Sequence, residues 1–209
     1  MEKKTTSKPV RRKTRPTLKD EGCNMAQIQE NIDKFKELVL YISQKCADDP
    51  SFGSVKLNKI LFFADFSSFA HYGVPVTGVP YQHLERGPGP KYMVPIREQM
   101  IKAGELGIQE KAIGAGVQKK PVNLREPNLD LFGAKEIALV DSIIVALAAH
   151  TAKSTSELSH LMCAWKFTRM GDTIPYGSVF LTDCHLNPSD IARGQELARE
   201  YSLLEAPAP

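Results

Sequence analysis

The sequence predicts a mainly α fold: a compact helical domain with a small β-hairpin and short strands. Three observations carry this reading. Apolar residues recur at three- and four-residue spacing in several separate segments, the signature of helices with one buried face. One of those segments, Val55 to His71, is apolar almost all round and so belongs at the centre of the fold. Only residues 108–123 carry a β-branched pattern broken by glycines, enough for a hairpin and little more.

Composition sets the frame. With 42% hydrophobic and 24% charged residues, the 209-residue chain lies in the normal globular range, and its length suits one domain with a tail. No apolar run approaches the roughly 18 residues of a membrane helix, and the first 24 residues have no apolar central region like that of an export signal. Cys23, Cys46, Cys163 and Cys184 form no CxxC pair and read as reduced thiols, so a cytoplasmic address with no membrane partner is expected.

Charge divides the chain. Residues 1–24 hold eight Lys/Arg against three acids, a net +5, and two prolines break them; they are expected to form a disordered basic arm. Met25 stands at the domain edge or marks an alternative start. Residues 25–205 make the helical domain and 206–209 a short tail. Beyond the arm, 19 basic side chains meet 21 acidic ones, a net −2, which lacks the footprint of a nucleic-acid binder and favours a basic partner.

Ile28, Ile32, Phe35, Val39, Ile42 and Cys46 predict a first amphipathic helix of about 20 residues. Ser54 is the expected cap of the central helix, which ends at Tyr72 and Gly73. The Pro/Gly-rich stretch that follows is a loop in which Tyr81 to Arg86 form a short strand. A helix from Lys91 to Gly104 accommodates Pro95 only in its first turn. Beyond the hairpin, Ile137, Val140, Ile144 and Leu147 predict a buried helix over Ala134 to Ala149. Ser154 and Glu157 form a capping box for a short helix, with Trp165 just beyond it. A short strand is expected within Gly171 to Val179. Asn187 and Pro188 then start a last helix with Ile191, Leu197, Ala198, Tyr201 and Leu204 on its apolar side.

Candidate chemistry is thin, and neither catalytic residues nor a cofactor are expected. His160, Cys163, Cys184 and His185 supply ligand types for zinc, or a Cys-His nucleophile pair, but at spacings that match no finger, ribbon or nucleophile elbow, so no metal site is expected. Gly87 to Lys91 resembles a phosphate cradle, yet Pro88 and Pro90 remove two of the N–H donors such a cradle uses. Asp65, among aromatic residues, requires a partner, and Arg86 is the nominated one.

The stretch from Lys56 to Met100 carries an ordered set of uncommon features. Lys56, Leu57 and Lys59 open a helix with a Phe63-Ala64-Asp65 step. Tyr72-Gly73, the Pro75 to Gly78 corner and the Arg-Gly-Pro-Gly-Pro run from Arg86 to Pro90 follow. Ala164-Trp165-Lys166 adds a weaker echo. This order resembles the Panacea domain, also called the SocA-like antitoxin domain, with Lys56, Leu57, Lys59, Asp65, Gly73, Gly78, Gly87 and Trp165 as its motif residues. Gly89 and the Ser67-Ser68 pair depart from the family pattern without threatening its fold.

The resemblance implies a helical module that neutralises a co-encoded protein toxin by direct contact. A protease to which the toxin is handed is the other partner it implies. A nucleic-acid-binding regulator that uses the basic arm remains the rival reading. Tyr81, His83, Arg86, Pro88, Pro90, Lys91 and Tyr92 on a rigid loop offer side chains of the type that dominate interfaces, and are the expected partner-binding set. The alternative is that Tyr81 and Tyr92 pack inward and the loop is structural. Trp165 is expected to be a core anchor.

Overall fold

Helix α1 (Ile32–Lys45) starts where Asn31 accepts a hydrogen bond from the Lys34 N–H at 2.9 Å. It spans 14 residues, not about 20, because Asn31 is extended and its own N–H donates to the Thr77 carbonyl, which leaves Ile28 in the lead-in. Helix α2 (Ser54–Tyr72) follows after a short turn and ends on Gly73 in the left-handed conformation. Ser54 is not its cap: Gly53 takes that place, and Ser54 Oγ donates to the Lys119 carbonyl at 3.1 Å. The computed structural model describes residues 28–113, 116–181 and 188–200; the expected arm, Met25 and the 206–209 tail lie outside them.

As predicted, α2 is the centre. Leu57, Ile60, Leu61, Phe62, Ala64 and Phe66 are all buried, and Phe66 stacks on Tyr176 with ring centroids 4.7 Å apart. Around it stand α1, α4 (Ala134–Leu147) and α5 (Ala152–His160). Helix α4 is buried on one side only, through Val140 and Leu147, while Val145 is exposed. Helix α5 begins earlier than its expected box, because Thr151 Oγ1 accepts from the Ser154 N–H and so takes the capping role.

Two small antiparallel sheets complete the fold. Strand β1 (Tyr81–Gln82) lies between β2 (Gly89–Pro90) and β5 (Thr173–Ile174), pairing Tyr81 with Pro90 and with Ile174. Helix α3 (Met93–Lys102) carries Pro95 in its first turn, where a missing N–H costs little. It starts two residues after Lys91 because the Lys91 N–H is engaged by the Pro80 carbonyl. The hairpin of β3 (Leu106–Ile113) and β4 (Gly116–Asn123) runs in register from Leu106 opposite Asn123 to Ile113 opposite Gly116. At its base Arg125 bridges Glu37 of α1, at 2.6 and 2.8 Å, and Glu105, at 2.9 and 3.0 Å.

The one-turn helix α6 (Cys163–Lys166) holds Trp165, and α7 (Pro188–Glu200) ends the described chain. The expected apolar side of α7 is not covered by the described fold: Ile191 is exposed, and Leu197 and Ala198 are half-buried. Asn187, Tyr201 and Leu204 lie outside the described residues. The result is mainly α with minor β, as the sequence predicts.

Candidate functional site: a loop clasped from below

Helix α2 carries three charged side chains into the interior. Lys56, Lys59 and Asp65 are 1%, 2% and 0% exposed. Buried charges are tolerated only when bonded, and each of these finds its partners in a different loop. Lys56 Nζ donates to Asp49 Oδ2 at 2.6 Å and to the His150 carbonyl at 2.7 Å, tying the α1–α2 turn to the end of α4.

Asp65 organises the corner that follows α2. Its carboxylate accepts from the Thr77 N–H at 2.6 Å, the Thr77 hydroxyl at 2.5 Å and the Tyr81 hydroxyl at 2.8 Å. Burial pushes this carboxyl above its ordinary range, with the bonds from Thr77 and Tyr81 pulling the other way. Arg86 is not its partner. The Thr77 and Tyr81 donors already satisfy the carboxylate, and Arg86 lies exposed on the loop. A Cβ on Gly78, where φ is +72°, would stand 2.3 Å from the Gln29 carbonyl oxygen, so only glycine lets the corner pass beneath the lead-in to α1.

Lys59 grips the loop itself. Its Nζ donates to the Pro88 carbonyl at 2.6 Å, and burial lowers its pKa to about 7. Directly above lies Gly87, with φ of +89°, where a Cβ would come within 2.6 Å of Ser159 Oγ and 2.9 Å of both His160 Nε2 and Lys59 Nζ. Proline removes N–H donors but keeps its carbonyl, and that carbonyl is the handle used here.

The loop's first arm is fixed from the C-terminal side. The His83 N–H donates to the Asp172 carbonyl at 3.0 Å, and the Gly171 N–H donates to the His83 carbonyl at 2.8 Å. Trp165 is sandwiched between two imidazoles, His83 at 4.2 Å and His160 at 4.0 Å between ring centroids. Burial, followed by the positive charge of Lys59, lowers the His160 pKa and favours a neutral ring. Asn58 Oδ1, His160 Nε2 and Trp165 Nε1 are buried in this neighbourhood without a hydrogen-bond partner among the described residues.

The structure separates the seven side chains grouped at the loop. Tyr81, His83, Pro88 and Pro90 are buried, Tyr92 is half-buried against the core, and Arg86 and Lys91 are exposed. Lys91 Nζ sits 5.7 Å from the centroid of the Tyr92 ring. Chemically the cluster fastens a loop. Lys59 has the pKa of a usable nucleophile, but its amine is enclosed and engaged by Pro88. No group of three or more His, Cys, Asp or Glu that could hold a metal comes together among the described residues; Cys184 and His185 lie outside them.

The family model described as antitoxin SocA-like, Panacea domain, matches residues 57–166, which is 110 of the 209 residues. The chain belongs to the SocA-like Panacea family. No curated protein and no solved structure gives a significant match. The Panacea match runs from Leu57 to Lys166 and so holds Lys59, Asp65, the whole Pro/Gly loop and Trp165, while β5 lies beyond it. Outside the match, the described residues add α1, which covers the central helix. No single helix among the described residues is long and apolar enough to cross a membrane.

Lys59 is legible in the sequence as a motif residue, but the carbonyl it holds is not. The available signal is two lysines three residues apart in a helix apolar almost all round, where a solvated face has little room. The Glu37–Arg125–Glu105 bridge left no such signal, since its members sit on separate elements.

Proposed function

We propose that this Panacea-family chain is an antitoxin that neutralises a co-encoded protein toxin by direct contact, without chemistry of its own. The family match over residues 57–166 carries the reading. The geometry of the loop supports it. A segment held by Lys59, Gly87 and the Trp165 stack is already ordered, so displaying Arg86, Lys91 and Tyr92 to a partner costs little further entropy. Arg and Tyr are the residue types that most often dominate such interfaces.

The test is co-expression with the product of the neighbouring gene, reading growth and co-purification. Growth rescue together with a stable complex is the expected result. Rescue without a complex would overturn direct sequestration and point to transfer of the toxin to a protease. A harmless neighbour would remove it as the cognate toxin. Deleting residues 1–24 should leave rescue intact, whereas loss of a salt-sensitive DNA contact along with rescue would favour the regulator.

A further inference from the structure

Arg86 leaves the clasped loop on its outer face and borders a cleft of about 700 Å³. The cleft opens between the outer half of the β3–β4 hairpin and the N-terminal ends of α2 and α5. Four cations line it, Arg86, Arg97, Lys119 and Lys153, and no acidic side chain does. Arg86 and Arg97 have no ion-pair partner among the described residues. Lys119 and Lys153 meet only Glu110 at 3.4 Å and Glu157 at 4.0 Å, exposed contacts that hold them weakly.

The walls are apolar where the rim is charged. Ile113 and Val117, 51% and 60% exposed, face the cleft from the hairpin, and Val55 lines it from α2. The first turn of α2 lacks a side-chain cap, since Gly53 has none to offer and Ser54 Oγ is turned to Lys119. The start of α5, at Ala152 and Lys153, lines the same cleft. Each helix start adds a partial positive charge to the four formal ones.

We propose that this cleft docks an acidic, partly apolar segment of a partner protein, its carboxylates meeting Arg86 and Arg97 and an apolar side chain seated against Ile113 and Val117. The proposal rests on the antitoxin reading and specifies which part of the toxin is held. Charge complementarity is its argument. Residues 25–209 carry a net −2, but the field inside a cleft is set by the charges that line it, and there the sign is reversed. A nucleic-acid strand fits less well, because no aromatic side chain lines the cleft to stack a base and its apolar walls would face phosphates.

The experiment titrates the isotope-labelled full chain with three probes, followed by NMR: a short soluble peptide of Glu, Leu and Gly, its Lys-for-Glu counterpart, and a single-stranded oligothymidine. The acidic peptide should shift the amides of Ile113, Val117 and Lys153 and the other two should not. R86E/R97E should weaken that binding by about tenfold or more. K119E/K153E, confined to exposed side chains that the fold does not need, should weaken it in the same direction. Shifts elsewhere, equal response to both peptides, preference for the oligonucleotide, or indifference to both double variants would overturn the proposal. In parallel, both variants are co-expressed with the neighbouring gene product. If they neutralise it as well as the wild type does, the antitoxin reading stands and the docking proposal falls. If the acidic peptide maps to the cleft while the wild type neutralises nothing, the antitoxin reading falls and the cleft assignment stands.

Discussion

Lys59 Nζ donates to the carbonyl of Pro88 at 2.6 Å, so that a buried amine on the central helix holds a loop 29 residues away. The two ends of this bond differ in what they can lose. The carbonyl keeps its lone pairs in any state, whereas the amine changes charge near neutral pH. Its folded pKa, about 7, lies below the ordinary lysine value of 10.5. The unfolded chain therefore binds a proton that the folded one releases between those values.

Stability should accordingly rise with pH from about 7 towards 10, by up to about 1.4 kcal/mol per unit from this group alone. Urea denaturation of the wild type and of Lys59→Met at successive pH values checks it. The variant should lose that slope; an unchanged slope would assign it to other groups.

Gly87→Ala places a Cβ against Ser159, His160 and Lys59 in a left-handed backbone position, and should cost about 2 kcal/mol or more. Gly171→Ala shares the positive φ but meets nothing within 4 Å, and should cost only about 1 kcal/mol. Thermal melts of the pair separate crowding from backbone strain. Equal losses would mean that the clasp is looser than the geometry shows.

Arg125→Ala removes the bridge between α1 and the base of the hairpin and should destabilise by about 2 kcal/mol, below the range for a fully buried pair because the guanidinium is partly solvated. The bond from Arg125 holds the Glu37 carboxyl below its usual range, with burial opposing. A depressed folded pKa gives stability that is present above pH 4.5 and is lost as pH falls through the folded value. Acid unfolding should show Arg125→Ala approaching the wild type only in that acidic window.

The thiols should differ. Cys46 is buried, and desolvation raises its pKa to about 11, whereas Cys163 is partly accessible. Brief iodoacetamide treatment of the native protein at mildly alkaline pH, followed by mass spectrometry, should modify Cys163 well before Cys46. The reverse order would indicate opening of the α1 end.

The helices were legible because each carries its own periodicity. Errors fell where a bond from outside the segment decided the outcome. Asn31, held by Thr77, makes α1 start late, and Thr151 takes the cap of α5 in place of Ser154. The need of Asp65 for a partner is legible in the sequence, but not that Thr77 and Tyr81 satisfy it in place of Arg86. The cleft was invisible for the same reason: its four cations come from four separate parts of the chain and meet only in the folded protein.

The pairing of β1 with β5 sets an order of assembly. Tyr81 and Gln82 find Ile174 and Thr173 only after most of the chain has been made, and the Trp165 stack on His83 is almost as late. On the ribosome, α1 and α2 can pack and Lys59 can take hold of Pro88 well before those partners emerge. The loop's other arm waits, so a nascent chain that already holds its central helix still lacks a finished loop. Contacts of such sequence separation form slowly, so an interval separates the folded core from the completed loop, and under the antitoxin function proposed above it is a period in which a toxin would go unrestrained.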